Sequence, residues 1–134
     1  MSSYLNFYLV PKEQPDKKLA FLSYSRSHEV YQRFSDNLNI AWAGDDELYT
    51  EITSADIDVI LKDIDEDLSK ANARRENYEK FCYGNPETIE EIVSIKEYIQ
   101  ELQHGKEYIS FIGDIISDMS FKECAFCKLL CNIG

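Results

Sequence analysis

Core-type positions recur at alternating steps of four and three residues over positions 57–82, and this spacing limits the fold more than any other feature of the sequence. Such a repeat lines one face of a helix that packs nearly parallel to a second helix. Thr53 or Ser54 is predicted to cap its start. The run Tyr83-Gly84-Asn85-Pro86 is predicted to end it, because Gly suits a helix end and Pro cannot continue the helix. The repeating positions are Ile57, Leu61, Ile64, Leu68, Ala71, Arg75, Tyr78 and Cys82.

A second long helix is predicted to follow, because Pro86 suits a first helical turn and Glu87 places negative charge near the positive helix end. Gly105 costs about 1 kcal/mol relative to Ala inside a helix, so we expect a kink or a short break there. The two helices, 54–83 and 87–119, are predicted to form an antiparallel hairpin. Its buried residues should include Ile57, Leu61, Ile64, Ile92, Ile99 and Ile109.

The first 26 residues predict a β-hairpin, since residues 4–10 and 19–25 are rich in aromatic and aliphatic side chains. A lone hairpin is marginal in water, so one face should pack on the helices. Residues 27–39 predict a short helix capped by Ser25 or Ser27. Residues 40–53 predict an irregular acidic link, and the apolar tail 120–134 predicts a third strand or, less favoured, a short helix. We therefore expect a single α+β domain over residues 1–134.

Negative charge is concentrated in one stretch: residues 45–67 hold ten acidic residues against Lys62 alone, which gives −9 of a net −11. Such a field repels nucleic acid, so direct nucleic-acid binding is not expected, and a basic surface on another protein is the natural counterpart. The alternative is a solvated face that only keeps the protein soluble. The acids are Asp45, Asp46, Glu47, Glu51, Asp56, Asp58, Asp63, Asp65, Glu66 and Asp67.

Two aromatic residues beside these acids, Trp42 and Tyr49, are candidate anchors, because Trp and Tyr dominate the energetics of many interfaces. The leading hypothesis is a non-enzymatic interaction module that binds a basic partner protein. A special case is an inhibitor of the viral anti-defence type, whose carboxylates mimic nucleic acid and block a nucleic-acid-binding protein. One alternative is a helical structural module that forms a homodimer or larger homo-oligomer through its apolar stripes. Another is a small anion- or ligand-binding domain that uses a cluster between Tyr24 and Arg33.

A polar cluster is predicted where the second strand gives way to the first helix. Helix starts attract anions, and arginines with tyrosine hydroxyls can hold a phosphate or a carboxylate. The other interpretation is that the arginines pair with the acidic segment. The cluster comprises Tyr24, Arg26, His28, Tyr31 and Arg33.

No motif specifies a reaction, a metal or a cofactor. Cys124-x2-Cys127-x3-Cys131 lacks the second ligand pair of a structural zinc site, so the cysteines are predicted to be small buried residues. Asp63-x-Asp65 opens like a calcium loop, but Leu68 stands where that loop needs Gly. The first residues do not resemble a signal peptide, and no apolar run suits a membrane span, so a cytoplasmic protein is expected.

Overall fold

A computed structural model describes residues 3–44, 47–81 and 85–134. The elements are β1 (Tyr4–Pro11), β2 (Leu19–Ser25), α1 (Glu29–Asn37), β3 (Thr50–Ile52), α2 (Ser54–Phe81), α3 (Pro86–Asp118) and β4 (Phe126–Ile133). The predicted α+β fold, with a short helix and a long helical hairpin on an N-terminal β-hairpin, is confirmed. Among the described helices, none combines the length and the apolarity that a membrane crossing requires.

The four strands form one antiparallel sheet in the order β2-β1-β4-β3. The tail is a strand, as favoured, and β4 lies between β1 and β3, with Leu5 opposite Ile133 and Leu9 opposite Leu129. The prediction of an irregular link over residues 40–53 is wrong at two places. Thr50–Ile52 forms β3, and Trp42 makes an isolated parallel bridge to Ile133.

The hydrophobic core lies between one face of this sheet and the helices. Strand geometry sends alternate side chains to opposite faces, so Leu5, Phe7 and Leu9 of β1 turn inward together. Leu129, Cys131 and Ile133 of β4 extend the same face. The helices supply the other half of the core: Val30 and Phe34 from α1, Ile57, Ile60 and Ile64 from α2, and Ile109 and Ile112 from α3.

Helices α1 and α2 are capped by different kinds of side chain. The prediction that Ser25 or Ser27 caps α1 is wrong, because the Val30 N–H donates to Nδ1 of His28 at 3.1 Å. The serine hydroxyls instead bond each other at 3.2 Å. Thr53 precedes α2 as one predicted alternative: its hydroxyl accepts the Asp56 N–H at 3.3 Å.

Asp56 completes that arrangement as a capping box. Its carboxylate accepts the Thr53 N–H at 2.9 Å and the Thr53 hydroxyl at 3.0 Å. One acid of the charged run therefore stabilises the first turn of α2. The helix extends to Phe81, and α3 begins at Pro86 with Asn85 as its cap. Cys82 of the predicted repeat, and Tyr83 and Gly84 of the predicted stop, lie outside the described residues.

Helix α3 continues through Gly105, so the expected break is absent from residues 86–118. A Cβ at this position would lie 2.7 Å from Cγ of Glu29 and 3.4 Å from Cδ1 of Ile64. Gly105 therefore permits α1 and α3 to approach closely. Packing between helices therefore explains the residue.

Four of the six residues predicted to be buried in the hairpin are buried: Ile57, Ile64, Ile99 and Ile109. Leu61 and Ile92 are only half-buried. Ile60 was not predicted, yet its side chain is completely buried. The reason is that α2 packs against α1 as well as α3, so its apolar face is wider than the seam of a two-helix hairpin.

Candidate partner-binding site

The acidic run does not form one face, because part of it is used inside the fold. The buried Arg33 guanidinium donates to Asp63 at 2.9 Å, to Asp67 at 2.6 Å and to Glu29 at 2.6 Å. Asn37 also donates to Asp63, at 3.0 Å. These hydrogen bonds, from Asn37 and then from Arg33, lower the pKa of Asp63. The two aspartates therefore join α2 to α1.

The remaining acids are distributed over several elements. Asp56 belongs to the helix cap, and Asp65 pairs with Lys106 of α3 at 2.6 Å. Asp45 and Asp46 lie outside the described residues. Within the described ranges, four acids of the run are exposed and make no ion pair: Glu47, Glu51, Asp58 and Glu66. Glu51 belongs to the sheet, whereas Asp58 and Glu66 belong to α2.

The two candidate anchors differ in accessibility. Trp42 is 63% exposed beside the end of β4. The ring of Tyr49 packs edge-on against Tyr8 at 5.2 Å, and the Lys18 ammonium lies 5.0 Å from the ring centre. Tyr49 is thus half-buried on the sheet, away from the groove described below.

The predicted anion cluster is divided between different contacts. The ring centres of Tyr24 and His28 are 4.8 Å apart. Both rings contact Tyr108 of α3, with centre-to-centre distances of 5.9 Å from Tyr24 and 5.4 Å from His28. Burial raises the pKa of Tyr24. The Tyr31 hydroxyl bonds the Ser3 hydroxyl at 2.9 Å. Arg26 is exposed, whereas the Arg33 guanidinium is occupied by its three carboxylates.

The cysteines lie in different surroundings. Cys131 is in the core, Cys124 is half-buried, and Cys127 is exposed at an irregularity in β4, with its thiol 3.6 Å from the Val10 carbonyl oxygen. Over residues 3–44, 47–81 and 85–134, no three His, Cys, Asp or Glu side chains converge in a way that could hold a metal ion.

An open groove between α2 and α3 is a concave surface lined by several unpaired acids from both helices. It consists of two adjoining hollows, of about 530 and 250 Å³, which share Ser110 and Asp114. On α2 the groove extends from Ser54 to Leu68. At 1.5 Å per helical residue, this span is about 21 Å. It is long enough for several residues of a partner.

Asp58 of α2 and Glu107 and Asp114 of α3 line this groove and make no ion pair with any described residue. Its single lysine, Lys106, is already paired with Asp65. The lining of the groove therefore carries negative charges from both helices that are not paired with a cation. A long groove with this charge suits ammonium or guanidinium groups.

The groove also has an apolar floor and neutral donors. Leu61 and Leu68 are half-buried between the helices, and Phe111 is 49% exposed at one side. Ser54, Ser110 and Ser117 add hydroxyls to the smaller hollow. The α3 backbone lies close to the Ile57 side chain there, because a Cβ on Gly113 would lie 3.0 Å from Cγ2 of Ile57. The arrangement can receive a side chain that is apolar along its stem and cationic at its tip.

The sequence indicated Asp58, but it did not indicate Asp114, which lines the same hollow, or Glu107, which lines the adjoining one. Both stand outside the charge-dense run, so a count of charge along the chain does not find them. The helical hairpin contains the missing signal. Because the two helices are antiparallel, Asp58 and Asp114 come to line the same hollow.

Comparisons of the chain with protein-family models, with curated proteins and with solved structures found no match.

Proposed function

We propose that the protein is a non-enzymatic interaction module that binds a basic, amphipathic surface of another protein in the α2–α3 groove. The observation that carries the proposal is the presence of three unpaired carboxylates, from Asp58, Glu107 and Asp114, around a half-apolar groove. Proteins that bind nucleic acid carry basic surfaces of this kind, so they are the first class of partner to test.

The apolar and charged parts of the groove have different roles in this proposal. Contact with Leu61, Leu68 and Phe111 removes apolar surface from water, which supplies affinity. The carboxylates attract the partner over a distance and discriminate against acidic proteins. Because the groove is open along the helices, it fits a protein segment better than an enclosed small molecule.

The test compares two variants that remove the same number of charges. The groove variant is Asp58→Asn/Glu107→Gln/Asp114→Asn. The control variant is Glu90→Gln/Glu97→Gln/Glu101→Gln, whose residues are exposed on α3 and make no ion pair within the described part of the chain. Both change the net charge from −11 to −8. The probe is a 14-residue helical peptide with lysines on one face and leucines on the other.

Each exposed ion pair contributes roughly 0.5 kcal/mol, so losing three should weaken binding by about tenfold. We expect this loss in the groove variant and less than about threefold in the control, measured by fluorescence anisotropy at 0.1 M salt. The wild-type association rate should fall steeply towards 1 M salt, because the Debye length shrinks from about 10 to about 3 Å. Equal losses in both variants would show that only net charge acts and would refute the groove.

A further inference from the structure

Strand β2 forms an edge of the sheet and pairs only with β1 among the described strands. Natural edge strands are usually protected by charged side chains, prolines or coverage, since an open edge accepts further strands. The seven residues of β2, Leu-Ala-Phe-Leu-Ser-Tyr-Ser, include no charged residue and no proline. The β1–β2 register shifts between Phe7 and Tyr8 and leaves Phe21 without a partner, so β2 has an irregularity but neither a charge nor a proline to protect its open edge.

The register shows which backbone groups of β2 remain free. Tyr4 and Gly134 exchange two backbone hydrogen bonds, of 2.8 and 3.0 Å, so Tyr4 and then Asn6 direct their backbone groups towards β4. Leu5 and Phe7 therefore direct theirs towards β2. Asn6 stands opposite Ser23, so the N–H and C=O of Ser23 point to the open edge.

Helix α3 places exposed aromatic rings beside this strand. Tyr108 is 46% exposed and lies 5.9 Å from Tyr24 of β2. Phe111 is 49% exposed and lies 6.4 Å from Phe21 of β2. An added strand would lie about 4.8 Å beyond β2 and would bring alternate side chains towards these rings. The open edge and the rings together resemble a groove of the kind that receives extended peptides.

Basic residues stand at both ends of the strand and indicate the occupant. Lys17 and Lys18 precede β2, and Arg26 follows it. If a second copy of β2 paired antiparallel about Leu22, Lys18 would stand opposite the copy's Arg26 at both ends. Like charges directly opposite destabilise a strand pair, so self-pairing is disfavoured. These basic residues would instead attract acidic groups at both ends of an added strand.

We propose that the β2 edge binds an extended segment of a partner protein, about seven uncharged residues with alternate apolar side chains, flanked by an acidic residue at each end. Backbone hydrogen bonds to Ser23 hold the segment, and Tyr108 and Phe111 contact its inward side chains. This surface differs from the α2–α3 groove in the charge that it selects. Phe111 belongs to both surfaces, but the groove selects a basic partner and the β2 edge selects a segment with acidic ends, so the two proposals can fail independently.

The probe is a nine-residue peptide with Asp at each end and alternating Val and Thr between, compared with the same peptide ending in Lys. Reversing both end charges replaces attraction with repulsion, so the Lys-ended peptide should bind about tenfold more weakly. The variant Lys17→Glu/Arg26→Glu should reverse this preference. Lys18 is left unchanged because it packs on Tyr49. A preference that does not reverse would refute the role of the strand ends.

A second pair of variants tests the backbone contacts. Ser23→Pro removes the N–H that points to the open edge, a position where an edge strand tolerates proline. Ser23→Ala keeps that N–H but removes the hydroxyl that donates to Asn6. Ser23→Pro should lose binding of the Asp-ended peptide and Ser23→Ala should retain it, with folding of both checked by circular dichroism.

Two results would overturn strand addition. One is equal affinity of both Ser23 variants for the Asp-ended peptide. The other is a wild-type dimer in analytical ultracentrifugation that Ser23→Pro converts to a monomer, since a second copy would then occupy the edge. If Ser23→Pro does not fold, the same peptide with N-methyl groups on alternate residues replaces it, and unchanged binding of that peptide contradicts the proposal.

Discussion

Replacing Arg33 with Met should destabilise the protein through three carboxylates left without their cation. Met keeps an apolar stem in the buried site but removes the guanidinium that bonds Glu29, Asp63 and Asp67 at 2.6 to 2.9 Å. Breaking a buried ion pair by removing one partner costs roughly 3 to 5 kcal/mol. The three carboxylate side chains are 22 to 36% exposed, so water reduces the penalty. We expect a loss of about 2 to 3 kcal/mol at pH 7.

The pH dependence of this loss has a definite sign. In the native protein the pKa of Asp63 lies below its ordinary value. Its contribution to stability is therefore present above the unfolded pKa of about 3.9 and is lost as pH falls through the folded value. In Arg33→Met the clustered carboxylates repel one another, which favours protonation. The stability difference between the native protein and the variant should therefore shrink as pH falls from 7 towards 4.

Urea denaturation followed by circular dichroism at several pH values measures this difference. Arg26→Met is the matched control, because Arg26 is exposed and makes no ion pair with a described residue. Its free energy of unfolding should change by less than about 0.5 kcal/mol. A loss below about 1 kcal/mol for Arg33→Met, or a loss that stays constant between pH 7 and 4, would refute the argument.

Three further predictions use the core, a cap and the thiols. Ile64→Ala should cost about 2 to 5 kcal/mol in urea denaturation, whereas Val59→Ala, at a 52% exposed position, should cost less than about 1; similar losses would contradict the described core. His28→Ala should lower the free energy of unfolding by about 1 kcal/mol, whereas His28→Asn should retain most of that stability because Asn can also cap a helix. Equal losses in the two variants would refute capping by His28. Burial raises the pKa of Cys131 to about 12. Iodoacetamide at pH 8 should therefore label Cys127 in the native protein and Cys131 only in urea, as read by mass spectrometry.

The long elements could be predicted because local patterns determine them. Residues 4–10 and 19–25 lie within the observed β1 and β2, and the two predicted long helices closely match α2 and α3. The three-residue strand β3 could not, since its conformation depends on pairing with β4, about eighty positions further along the chain. Gly105 misled for a related reason. Helix propensity is a local quantity, whereas Glu29 of another helix explains the glycine.

The candidate site could be predicted only in part. The sequence shows that acids are dense over residues 45–67, but it does not show that Asp63 and Asp67 turn inwards to Arg33, some thirty positions away. Charge that is continuous in sequence is divided in space by the helical turn, which sends successive residues in different directions. The free acids of the groove come from two helices, so they appear only when the hairpin is folded.

The central position of β4 has a consequence for how the protein is made. Pro11 and Phe126 are 115 positions apart, and a ribosome adds roughly 5 to 20 residues per second, so β1 waits roughly 6 to 23 s for its partner. During that interval the edge of β1 that later pairs with β4 is open, and the face formed by Leu5, Phe7 and Leu9 lacks the strand that extends it. A nascent chain in this condition is a substrate for chaperones and a hazard for neighbouring chains. The time at which β4 is synthesised thus determines how long this edge of β1 stays open.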